Sequence, residues 1–68
     1  MHKFKIHMAH GAGALVLQHD ARSLEDINFA MLHQRCLIGD LVEEGGEIVD
    51  PPIRILIPAP RICLVAEY

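Results

Sequence analysis

The stretch from Pro51 to Tyr68, PPIRILIPAPRICLVAEY, constrains this chain more than any other. Two dense apolar runs, Ile53 to Ile57 and Ile62 to Ala66, are split by Pro58-Ala59-Pro60. Proline lacks a backbone donor and fixes φ, so no helix runs through that break. Each run has the length and β-branched content of a strand. Alternation places Ile53, Ile55 and Ile57 on one face, with Arg54 and Leu56 opposite. In the second run it places Ile62, Leu64 and Ala66 opposite Cys63 and Val65. Apolar residues on both faces require cover on both faces. A chain of 68 residues makes one domain, and a domain this small buries only about 60% of its unfolded surface. One helix can cover one face. The other needs a sheet curled into a small barrel, or a second subunit.

Upstream, KFKIHM (3–8) alternates, with Phe4, Ile6 and Met8 on one face and Lys3, Lys5 and His7 on the other. His10-Gly11-Ala12-Gly13 predicts a turn, and ALVLQH (14–19) a second strand, antiparallel to the first. Ser23 then precedes an apolar stripe of Leu24, Ile27, Ala30 and Met31 at helical spacing. Asp26 stands three residues beyond Ser23, close to a capping box, and Glu25 and Asp26 suit the positive end of the helix dipole. The helix is expected over Leu24–Gln34. The segment CLIGDLV (36–42) extends the stripe, but Gly39 makes a helix there costlier by roughly 1 kcal/mol, and a strand is expected instead. EEGGE (43–47) reads as a polar turn.

The predicted fold is α+β, a single domain spanning residues 1–68 in the order β-β-α-β-β-β. Its sheet is expected to be strongly curved or a small open barrel, with the helix packed on it. The predicted core is Phe4, Ile6, Val16, Leu24, Ile27, Met31, Leu37, Ile55, Ile57, Ile62 and Leu64.

Half of the residues, 51%, are hydrophobic, which argues against disorder. Charges recur too often for a membrane span of about 20 residues, and MHKFKIHMAH lacks the texture of a signal peptide. The expected location is cytoplasmic, with no membrane partner. Cys36 and Cys63 are flanked by aliphatics and are expected to be free, buried thiols.

Net charge is −3, whereas nucleic-acid binders usually carry a basic excess. A local basic face of Lys3, Lys5, Arg54 and Arg61 is the candidate phosphate-contacting patch. Only Phe4, Phe29 and Tyr68 are aromatic, so base-stacking platforms are scarce.

Among candidates for chemistry, His7 and His10, with His19 and Asp20 across the hairpin, are the candidate zinc ligands, though no complete ligand motif is present. Gly11-Ala12-Gly13 precedes a strand and not a helix, so it reads as a turn and not a phosphate loop. Ser23 is the only serine, its role is the helix cap, and no nucleophile elbow surrounds it. No enzyme and no cofactor are expected. Asp40 interrupts CLIGDLV on the face of Ile38 and Val42; the expectation is the wet side of an edge strand, and the alternative is a carboxylate paired with Arg54 or Arg61. The acidic stretch of Asp40, Glu43, Glu44, Glu47 and Asp50 lacks the ligand spacing of a calcium loop.

The order of helix and then strands, ending in the bent segment LIPAPRICLVAE, resembles small barrels of the Sm or SH3 kind over roughly the last 45 residues. The resemblance implies a fold and no functional residue. The functional expectation is a non-catalytic protein-interaction or regulatory module that forms a homodimer or small homo-oligomer. Arg54, Leu56, Arg61, Cys63 and Val65 on the C-terminal strands are the candidate interface. The alternative is an RNA- or DNA-binding small barrel using the basic face.

Overall fold

The computed structural model describes residues 2–43 and 47–68. The chain runs through strand β1 (His2–Met8), a 3-10 turn (Ala9–Gly11), β2 (Ala14–His19), helix α1 (Leu24–Gln34), β3 (Cys36–Val42), β4 (Arg54–Pro58), a second 3-10 turn (Ala59–Arg61) and β5 (Ile62–Glu67). All five strands lie in one antiparallel sheet in the order β4-β3-β2-β1-β5. The α+β reading and its element order hold. The ladder is not closed: among the described residues β4 pairs with β3 alone and β5 with β1 alone.

Local chemistry explains each element. The β1–β2 hairpin turns through His10, Gly11 and Gly13, all at positive φ, and the Met8 N–H donates to the Gly13 carbonyl at 2.8 Å. Ser23 Oγ accepts from the Asp26 N–H at 3.2 Å and so caps α1. The Asp26 carboxylate in turn accepts from the Arg22 N–H, one residue before the cap. Arg35 ends the helix in the left-handed conformation, its N–H donating to the Met31 carbonyl. That reversal releases Cys36 into β3, so the strand wins over a longer helix.

The core lies between the sheet and α1. Phe4, Ile6, Leu17, Ile27 and Leu37 are fully buried, joined by Ala21 and Ile57. Register accounts for the set: Phe4 lies opposite Leu17, and Leu37 opposite Ile57, so each pair shares a face. Removing one such side chain from water stabilises by about 1.5–3 kcal/mol.

Three predicted core positions are corrected. Val16 lies on the other face of β2, where Lys5 and Val42 are its cross-strand neighbours; Leu17 takes its place. Leu24, the first helical residue, is 38% exposed. Leu64 is 50% exposed, because the β1–β5 register shifts between His7 and Met8. Ile62 therefore shares the inner face with Val65, and Leu64 falls outside.

The short link between the last two strands positions the rest. β4 and β5 occupy opposite edges, which a flat sheet of five strands holds about 19 Å apart. From Pro58 to Ile62 the chain spans at most about 15 Å even when extended. The two edges therefore do not lie in one flat sheet, and within the link the Ala59 N–H donates to the Arg35 carbonyl at 3.0 Å. α1 packs against β3 and β5 on the inner face.

Candidate functional site

With α1 on the inner face, the outer face of the sheet is left to be explained. Lys3, Lys5 and His7 of β1 point there, with Ala14, Val16 and Gln18 of β2, Ile38, Asp40 and Val42 of β3, and Arg54 and Leu56 of β4. Leu64 and Ala66 of β5 complete it, opposite His7 and Lys5. The two-faced apolar pattern of the sequence is thus real. Ile38 and Leu56 form a cross-strand pair that stays 37% and 59% exposed, and Leu64 and Tyr68 are 50% and 58% exposed. Val42 is the exception: it is buried on this side, where it bridges to Ile48 of the following loop. An open groove of about 500 Å³ lies beside it, lined by Lys5, Ala14, Leu15, Val16, Val42 and Tyr68.

The candidate interface residues divide. Leu56 and Arg54 lie on the outer face, Arg61 is exposed in the 3-10 link, and Cys63 is exposed where the register shifts. Val65 lies inside, half-buried against the core. Both cysteines are free, with Cys36 half-buried, so the expectation of buried thiols fails at Cys63.

Asp40 is not on an edge strand, since β3 sits between β2 and β4. It faces Arg54 directly across the ladder, Nη1 to Oδ1 4.0 Å, with its side chain 18% exposed against 69% for the arginine. The paired reading replaces the edge reading. The same contact divides the proposed basic face, because Arg54 lies three strands from Lys3 in the same row and beside a carboxylate.

The histidine cluster does not assemble. His19 is opposite His2, whereas His7 is opposite Ala14 at the other end of the hairpin. That separation is about 17 Å. His19 Nδ1 instead accepts from the Ala21 N–H at 2.9 Å and shapes the turn into the helix. Among the described residues, no group of three His, Cys, Asp or Glu side chains converges on a metal position. Part of the EEGGE turn lies outside the described residues; at its ends the Glu43 N–H donates to the Glu47 carbonyl at 2.7 Å.

Sequence reasoning missed a second exposed apolar patch. Phe29 and Leu32 on the outward side of α1 are 63% and 70% exposed, and Phe29 stacks on His33 with ring centroids 4.0 Å apart. Their spacing from Ile27 carried the signal, since neither falls on its stripe.

No protein-family model, curated protein or solved structure matches the chain. Among the described residues, no helix is long and apolar enough to cross a membrane.

Proposed function

We propose that this protein is a non-catalytic interaction module that associates with itself through its C-terminal strands. One observation carries the reading. β4 and β5, the two strands with an open edge, also bear Leu56 and Leu64, which stand half or more exposed on the outer face. Exposed apolar side chains beside unpaired backbone rows favour association with another chain. Lys5 and Tyr68 are the residues with polar side-chain groups that line the outer groove, a sparse set for acid–base or nucleophilic chemistry.

Light scattering coupled to size exclusion, over a range of concentration and salt and with absorbance at 260 nm, tests the proposal. The expected species is larger than the 7.6 kDa chain, free of nucleic acid and little changed by salt. A charge on the edge that carries the contact, by Leu56→Glu on β4 or Leu64→Glu on β5, should shift it toward monomer without loss of helix signal. Val65→Glu is no clean probe, because it places a charge against the core. A monomer at every concentration would sink the proposal. Co-eluting nucleic acid that salt removes would favour the binding of phosphates by Lys3 and Lys5.

A further inference from the structure

Strand direction decides how the two open edges can be used. Four successive antiparallel pairings separate β4 from β5, so both edge strands run the same way. Adding a copy head to tail with its faces aligned would pair β4 with β5 in parallel. A two-fold axis normal to the sheet instead pairs an edge with itself, antiparallel and with outer faces continuous.

Backbone directions then separate the two edges. The Tyr68 N–H donates to the Lys3 carbonyl at 3.2 Å. Because bonded and non-bonded pairs alternate, Ala66 and Leu64 also turn their amides toward β1, and Val65 and Glu67 turn theirs to the open edge. On the opposite side, the Leu41 N–H donates to the Ile53 carbonyl, so Ile55 and Ile57 face β3 while Arg54, Leu56 and Pro58 face outward. Pro58 offers no N–H to a partner, and Arg54 sets a charge there beside Asp40. Proline and charge are the usual means of blunting an edge. β5 carries no proline, and its one charge, Glu67, stands at the last residue of the strand. Its register shift at Cys63 confines regular pairing to the residues beyond.

Resting on the self-association reading above, we propose that β5 pairs antiparallel with β5 of a second copy, about a two-fold axis at Ala66. In this register Val65 of each copy faces Glu67 of the other, and they exchange about four backbone hydrogen bonds. Leu64 faces Tyr68 of the other copy, which gives two side chains that are 50% and 58% exposed an apolar cross-strand neighbour. Ala66 meets Ala66 in a non-bonded pair, where the Cα atoms approach to about 4.5 Å and a small side chain fits.

Single-cysteine variants test this register in a Cys36→Ser/Cys63→Ser background. Under mild oxidation Ala66→Cys should form a covalent pair of twice 7.6 kDa, and Leu56→Cys should not. Leu64→Lys, at an exposed position, should keep its melting temperature while weakening the dimer by about tenfold or more. If the parent protein dimerises but Leu56→Cys crosslinks and Ala66→Cys does not, the edge assignment falls and self-association stands. Undiminished dimerisation of Leu64→Lys would also overturn the assignment. A parent that stays monomeric, with neither variant crosslinking, would sink both proposals.

Discussion

Gly39 illustrates how much a single residue can demand. A Cβ built there would meet the Gln18 carbonyl oxygen, and Leu17 Cγ at 2.8 Å. The glycine lets β2 and β3 close over a packed Leu17, a requirement beyond the helix-breaking role its sequence context suggests. Gly39→Ala should therefore cost about 1–3 kcal/mol, read as a fall in Tm of about 4–8 °C per kcal/mol for a domain this small. An unchanged Tm would mean that β2 shifts freely. Residue-level burial was only partly legible. Phe4, Ile6, Ile27, Leu37 and Ile57 follow from alternation and helical spacing. In ALVLQH, however, apolar residues are consecutive, so either Val16 or Leu17 satisfies the pattern. Pairing with Phe4 decides it.

At the scale of elements, punctuation residues made the boundaries readable. Ser23 and Asp26 announce the start of α1. Its end carried no glycine, yet Arg35 takes φ 59° there, a conformation that costs a side-chain-bearing residue about 1 kcal/mol. Arg35→Gly should stabilise by up to about 1 kcal/mol, and Ser23→Ala should destabilise by a similar amount. Chemical denaturation measures both, and opposite signs would contradict the capping geometry. Two element-level features were not legible. The register shift beside Cys63 reverses the faces of β5 around it, and no glycine or proline marks it. Strand order was equally hidden, because nothing local distinguishes an inner strand from an edge. Asp40, read alone, suggested an edge; it lies in the second strand of the sheet, opposite the arginine of the true edge.

For the whole molecule, topology decides between the candidate sites more firmly than residue type does. The histidines that sequence spacing grouped lie at opposite ends of one hairpin, so a chelator should leave the Tm unchanged, and a fall on chelation restored by zinc would refute that placement. The apolar outer face was legible from the last two strands because an excess of oil does not depend on order. Its division between edge strands was not, since that needs the pairing of β1 with β5. That pairing also bears on how the protein is made. β1 finds one of its two neighbours only when β5 has emerged, some sixty residues later. Until then β1 is itself an edge, with Lys3 and Lys5 spaced along it as gatekeepers during the wait. Contacts this distant in sequence slow folding, and a chain stopped before Ile62 exposes the strand on which its sheet is founded.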